Sequence, residues 1–115
     1  MRRLPMAWLR RLALPGLVLG AVACGRSPAA PPPAVHTVTI EGMRFAPQTL
    51  TVRAGDTVVW VNRDMFPHTA TATGGVFDSK DIAAGGSWSH RLAAAGEFPY
   101  LCSLHPPMKA LIRVE

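Results

Sequence analysis

Apolar and polar residues alternate with a period of two along the last two thirds of the chain. In HTVTIE (36–41), Val38 and Ile40 alternate with threonines, and TLTVRAGD (49–56) alternates before it breaks at its Gly-Asp end. Such alternation is typical of strands with one buried face. The same pattern continues in HTATAT (68–73), SWSHRL (87–92), EFPYLC (97–102) and KALIRV (109–114).

One run departs from the alternation. TVVWVN (57–62) is apolar on both faces, which is typical of a central strand. Gly, Pro and Asp separate the runs at intervals of about eight to twelve residues, and no run has the period of an amphipathic helix. The pattern therefore predicts an all-β domain, an antiparallel sandwich or barrel.

The first 23 residues have the composition of an export signal. A start rich in arginine leads into an apolar run from about Leu12 to Ala23, and small residues precede Cys24. The run is shorter than the roughly 20 residues of a membrane-spanning helix. The stretch AVAC resembles a lipobox, which predicts cleavage before Cys24 and lipidation of its thiol. Ordinary cleavage after residues 21–23 is the alternative, and it leaves Cys24 unmodified. Both readings predict an exported, periplasmic protein.

Charge divides the chain into two parts. Five of the 12 Lys and Arg residues and none of the seven acids lie in residues 1–35, so these residues carry the whole net charge of +5. The remainder is neutral, which removes the main support for nucleic-acid binding. Residues 24–35 are rich in Pro and Ala and predict a semi-rigid tether that would hold a domain over residues 36–115 away from the membrane.

The cysteine count points to a bound thiol. Cys24 belongs to the processed N-terminus, so Cys102 is the only thiol of the domain. An exported thiol without a partner is prone to oxidation unless it is buried or bound. His105 and Met108 follow Cys102 at three-residue steps, and we expect both on the turn after the strand EFPYLC. A blue-copper site uses two imidazoles, one thiolate and a weak axial methionine.

The second imidazole has to come from elsewhere in the chain. His36 lies at the domain edge, and His90 is in register with Trp88, which predicts a partly buried strand residue. His68 follows a loop at the end of the central strand and is the best candidate.

These residues resemble the cupredoxins, in particular the amicyanin-like, plastocyanin-related type. The resemblance covers residues 36–115 and is carried by VVWVNRDMFPHT, by FDS at 77–79, by AAGEFPYLC and by CSLHPPM. It implies a Greek-key β-sandwich holding one copper ion (Cu²⁺/Cu⁺) and an Asn62 that hydrogen-bonds between the two ligand loops. Leu104 stands where the family usually has proline. The implied copper ligands are His68, Cys102, His105 and Met108.

The implied function is one-electron transfer rather than catalysis, because protein side chains occupy all four ligand positions. A Cys/His nucleophile is disfavoured because it leaves Met108 unexplained. By resemblance, the partners of this monomer are redox proteins, such as an amine dehydrogenase and a c-type cytochrome. They would dock near His105, on an apolar rim that includes Leu104 and, if it does not turn inward, Phe66. The membrane is a partner only through Cys24. A copper-binding or copper-delivery protein is the alternative function.

Overall fold

The structure, a computed structural model, describes residues 13, 15–17, 20 and 31–115. Cys24 and most of the predicted export signal lie outside these residues. Pro31–Glu115 form one compact unit. In the described part of the chain, no helix is long and apolar enough to cross a membrane.

Eight strands form two four-stranded sheets, and the described residues contain no helix. The first sheet has the order β2-β1-β4-β6 and the second β3-β8-β7-β5. The all-β prediction is therefore confirmed. The strands are β1 (Val35–Ile40), β2 (Phe45–Ala46), β3 (Thr49–Val52), β4 (Thr57–Asn62), β5 (Thr71–Ala72), β6 (Ser87–Arg91), β7 (Gly96–Cys102) and β8 (His105–Val114).

The sheets are mixed, whereas the sequence pattern suggested purely antiparallel ones. β1 pairs with β4 in parallel, and β3 pairs with β8 in parallel. The remaining strand pairs in both sheets are antiparallel. Residue alternation reports which face of a strand is buried, but it carries no information on the direction of the neighbouring strand. The pairing direction therefore came only from the tertiary structure.

The core lies between the sheets and is centred on aromatic side chains. Trp60 of β4 is fully buried and packs against Tyr100 of β7 with ring centroids 5.6 Å apart and near-perpendicular planes. β4 lies between β1 and β6, so the prediction of a central strand is confirmed. Truncating a buried aromatic residue of this kind costs about 3–5 kcal/mol. This packing stabilises the contact between the two sheets near the ends of β4 and β7.

One local prediction was wrong, and one short strand was missed. The run HTATAT forms a strand only at Thr71–Ala72, although His68 makes an isolated bridge to Ile82. The two-residue strand β2 was not predicted at all, because such a short segment shows no periodicity.

Candidate metal centre

Three chain segments meet at one end of the sandwich. His68 follows the loop after β4, Cys102 is the last residue of β7, and His105 is the first residue of β8. Cys102 and His105 face each other across a turn of only Ser103 and Leu104. This tight connection brings the thiol and one imidazole together.

His105 and Met108 were expected on a turn, but both belong to β8. The β7–β8 ladder pairs Cys102 with His105 and Leu101 with Lys109, so residues 106–108 have no partner on β7. They form an irregular insertion in the ladder. Two consecutive prolines, which lack the N–H that a ladder needs, occupy the insertion. It places Met108 in register with the buried residues 110, 112 and 114, and Met108 is 7% exposed.

The donor atoms have the spacing of a metal site. One donor atom each of His68, Cys102 and His105 lies within 4.8 Å of the other two. Cys102 Sγ is 3.7 Å from His68 Nδ1. Donors at about 2.0–2.3 Å from a first-row metal ion, arranged in a trigonal plane, are about 3.5–4.0 Å apart. Cys102 and His68 therefore already have the separation that two ligands of one such ion require.

The ligand group is sheltered on the protein side and open on one edge. His68 and Cys102 are fully buried, whereas His105 is exposed. A thiolate, two imidazoles and a nearby thioether are soft donors that favour copper over hard cations such as magnesium or calcium. The chemistry of the donor set thus fits copper.

Asp64 fixes the orientation of His68. Asp64 Oδ2 lies 2.8 Å from His68 Nε2, and a carboxylate can only accept, so Nε2 carries the proton. This leaves the Nδ1 lone pair facing Cys102. The amide of Met43 lowers the pKa of Asp64, with further contributions from the Gly42 amide and His68, against the opposing effect of burial. Asp64 therefore stays ionised and available as an acceptor.

Thr69 joins the two ligand-bearing segments. Its N–H donates to Cys102 Sγ at 3.3 Å, and its hydroxyl accepts from the Ser103 N–H at 2.8 Å. The Thr69 hydroxyl also lies 3.0 Å from the Ser103 hydroxyl. Thr69 thus positions the sulfur and ties the segment after His68 to the segment after Cys102.

The expectation that Asn62 links the ligand loops was wrong. Asn62 is fully buried, but its side-chain amide donates to the carbonyl oxygens of Phe66 and Ile82, at 2.7 and 3.0 Å. Its Oδ1 accepts from the Asp64 N–H. Because Asn62 ends β4, its side chain can reach the loop before His68 and the segment before β6. It therefore ties the loop before His68 to the segment before β6 and makes no hydrogen bond to the segment after Cys102.

The other histidines lie elsewhere. His36 Nε2 is 2.9 Å from Asp56 Oδ2, near the start of β4 and so at the opposite end of the sandwich. His90 is half-buried on β6 and stacks on Trp88, as its register predicted, and burial lowers the pKa of His90. The structure brings neither into the donor group.

Exposed apolar side chains lie in the two segments that lead to His68 and His105. Leu104 is 47% exposed and Phe66 is 62% exposed, so Phe66 does not turn inward. Met65, which the sequence analysis did not single out, is 89% exposed. We use the term apolar rim for Met65, Phe66 and Leu104.

Three residues of the site, Asp64, Thr69 and Ser103, were not predicted from the sequence. Thr69 and Ser103 each follow a candidate ligand directly, and a hydroxyl residue in that position was a usable signal. Asp64 stands four residues before His68, with no regular element between them, so its contact with the ring could be read only from the structure.

Comparisons with known proteins agree with this arrangement. The family described as "Copper binding proteins, plastocyanin/azurin family" matches residues 34–115. Amicyanin of Paracoccus versutus is 31% identical over 83 residues, a match that covers 68% of this chain and 63% of the relative. Plastocyanin of Chlamydomonas reinhardtii is 35% identical over 79 residues, which covers 55% of this chain and 51% of the relative. The chain thus spans less than two thirds of the length of these relatives.

Solved structures give the same result. The Cu(I) form of an amicyanin mutant superimposes with a TM-score of 0.67 at 29% identity, covering 70% of this chain and 82% of that one. The oxidised form of another amicyanin mutant matches with the same TM-score at 30% identity. The sandwich, the donor group and these matches lead to one conclusion: the chain belongs to the plastocyanin/azurin family of copper-binding proteins, and copper is its cofactor.

Proposed function

We propose that the protein is a one-electron carrier and not an enzyme, with copper held by His68, Cys102, His105 and Met108. One observation carries the proposal: two buried donors and one exposed donor lie within 4.8 Å of one another at one end of a rigid sandwich. Copper in this site would supply reversible one-electron chemistry between Cu²⁺ and Cu⁺. The protein residues do the rest.

The surroundings of the donors restrict their movement. Thr69 holds the Cys102 sulfur, Asp64 holds the His68 ring, and the prolines after His105 limit the freedom of the insertion. Small structural change between oxidation states is the requirement for rapid electron transfer. Donors locked by neighbouring groups satisfy it better than donors on mobile loops.

The exposed edge of His105 supports a docking surface for redox proteins at the apolar rim. Exposed apolar residues grouped around a functional group are typical of transient interfaces, which are small and bind weakly. By analogy with amicyanins, an amine dehydrogenase as donor and a c-type cytochrome as acceptor are the proposed partners. The carrier itself acts as a monomer.

The proposed location is the periplasm, with the domain of residues 36–115 anchored through a lipid on Cys24 and a tether of residues 24–35. The support is the sequence order of basic start, apolar run, AVAC and Pro/Ala-rich segment. Cys24→Ser should move the protein from the membrane fraction to the soluble periplasmic fraction. Wild-type protein that is already soluble and carries an unmodified Cys24 by mass spectrometry would refute the anchor and leave the electron-carrier proposal intact.

The first test of the function is the visible absorption spectrum of the copper-loaded protein. We expect an intense blue band that bleaches with ascorbate and returns on reoxidation, because a thiolate–copper bond produces it. Cys102→Ser should abolish the band, and His90→Gln should retain it because His90 lies outside the donor group.

Copper delivery is the competing function, and the exposure of His105 is the observation that favours it, because an open edge also permits metal exchange. A carrier keeps its metal in both oxidation states. Loss of copper to a Cu⁺ chelator as soon as the protein is reduced, at a rate comparable with reduction itself, would favour delivery and contradict the carrier function.

A further inference from the structure

Asp64 is shared by two parts of the molecule that are far apart in sequence. Its Oδ1 accepts the Gly42 N–H at 2.7 Å, and its Oδ2 accepts both the Met43 N–H at 3.0 Å and the His68 Nε2–H at 2.8 Å. Gly42 and Met43 form the turn between β1 and β2. A single carboxylate thus contacts this surface turn and a candidate copper ligand.

The β1–β2 turn presents two backbone amides to this carboxylate. Gly42 and Met43 both have φ of 61°, a left-handed conformation that a methionine rarely adopts. In this conformation the two successive amides point to the same place, which creates a small anion-binding concavity. The Asp64 side chain occupies it. The positive φ of both residues is the conformation of a two-residue hairpin turn, closed by the hydrogen bonds between the Glu41 and Arg44 backbones. Asp64 binds the two amides that this turn presents.

The number of donors shows why this residue has to carry a carboxylate. Three N–H groups converge on two oxygens, and each oxygen of a carboxylate can accept more than one hydrogen bond. An asparagine has one acceptor oxygen and one donor NH₂ at these positions. Its oxygen could accept the N–H groups on one side, but its NH₂ would face an N–H group on the other. The geometry is specific for a carboxylate rather than for any polar side chain of this size.

We propose that Asp64 is a positioning residue for the copper site, which orients His68 with Nδ1 free and couples it to the β1–β2 turn. The inference rests on the proposed function for its effect on copper, but the orientation of His68 exists without metal. A negative charge on the far side of the imidazole also makes the ring a better donor, which stabilises Cu²⁺ more than Cu⁺. The β1–β2 turn thereby becomes a surface region that influences the reduction potential.

The decisive experiment compares Asp64→Asn with Asp64→Glu and with Asp81→Asn in the full-length protein. Asp81 is exposed and is the neighbour of Ile82, whose backbone pairs with His68, so Asp81→Asn removes the same charge without touching the ring. For Asp64→Asn we expect a Cu²⁺ affinity about 10- to 100-fold weaker and a raised reduction potential. Each tenfold change in the ratio of Cu²⁺ to Cu⁺ affinity corresponds to about 59 mV. Asp64→Glu should recover most of the Cu²⁺ affinity. Asp81→Asn should change the affinity and the reduction potential little.

A second readout needs no copper. In the metal-free wild-type protein, ¹⁵N NMR of the histidine rings should place the His68 proton on Nε2, and the Gly42 and Met43 amides should exchange slowly. Asp64→Asn should speed exchange at these two amides. A His68 proton on Nδ1 in the wild type would overturn the proposal, even if no variant folds. Potentials of Asp64→Asn and Asp81→Asn that shift equally would overturn it as well.

The two proposals fail in different ways. A wild-type protein that never forms a blue, redox-active copper site refutes the electron carrier, whereas the ¹⁵N and amide-exchange results still decide the role of Asp64. A blue wild-type protein with a potential insensitive to Asp64→Asn refutes only the inference about Asp64.

Discussion

At the scale of single residues, the site depends on short polar side chains next to the donors. Cys102 Sγ accepts one N–H in this structure, that of Thr69, and the Thr69 hydroxyl contacts both Ser103 and Thr71. A hydrogen bond to the sulfur stabilises the charge of a thiolate, and one that is buried is effective because no water competes with it. The cysteine is therefore held by a neighbour whose side chain is itself fixed.

The metal donors could be predicted from the sequence, but the polar residues next to them could not. The donor residues are recognisable because few functions require Cys, His and Met in close succession. Thr69 and Ser103 are common residue types, and Asn62 was assigned a bridge that Thr69 makes. The error has a physical source: Thr69 and Ser103 are 34 positions apart, and the antiparallel pairing of β5 with β7 brings their segments together.

At the scale of elements, Asp56 holds the start of β1 to the turn between β3 and β4. Its carboxylate accepts the Ala34 and Arg53 amides and contacts His36, and these contacts lower the pKa of Asp56 to about 2, the Ala34 amide most strongly. The folded protein thus binds a proton at Asp56 less readily than the unfolded chain does. The contacts stabilise the fold above the unfolded pKa of 3.8, and this contribution disappears as the pH falls to about 2.

The corresponding prediction concerns acid stability. Asp56→Asn should flatten the pH dependence of the free energy of unfolding between pH 3.8 and about 2, because an amide does not titrate there. Urea denaturation of the metal-free protein over this pH range measures the slope, with the exposed Asp81→Asn as the control. Equal slopes in the wild type and Asp56→Asn would contradict the assignment.

The β7–β8 hairpin is the element that builds most of the donor group. Its two-residue turn sets Cys102 opposite His105, and the insertion at residues 106–108 brings Met108 onto the inner face of β8. An uninterrupted ladder would have paired every residue, leaving no room for the two prolines. The three-residue spacing between the donors in the sequence thus corresponds to the two-residue turn and to the insertion in this hairpin.

At the scale of the whole molecule, the parallel pairing of β1 and β4 means that both strands begin at the same end of the sandwich. Both strands start at the end that holds Asp56 and run toward the donor end, so Val35 pairs with Thr57 and Ile40 with Asn62. Residue 34, which directly precedes β1, therefore lies at the end of the sandwich opposite the donor group.

The rim can be tested with a matched pair of exposed apolar residues. Leu104→Ser should slow electron self-exchange, measured by NMR line broadening in mixtures of the oxidised and reduced protein, while the visible spectrum stays unchanged. The reason is that two copies must approach through the rim near His105. Val76→Ser is the control, because Val76 is 52% exposed, against 47% for Leu104, and lines a cavity with His90 and Phe98, outside the rim. Equal rates in both variants would exclude the rim as the docking surface.

The sequence by itself determined the properties that are local or periodic. Alternation with a period of two specified most of the strands and their buried faces, and the thiol, imidazole and thioether close together near the C-terminus specified a soft-metal site. The two apolar faces of TVVWVN specified the central strand. Each of these features depends on residues within one strand or one turn, which a sequence displays directly.

Only the tertiary structure decided the features that depend on neighbours in space. It set the parallel pairs of β1 with β4 and β3 with β8, the hydrogen bond from Thr69 to Cys102, and the convergence of the Gly42–Met43 turn and His68 on Asp64. These contacts join positions 20 or more residues apart in almost every case. Their partners are chosen by how the sheets stack and where the loops end, and no periodicity along the chain encodes that choice.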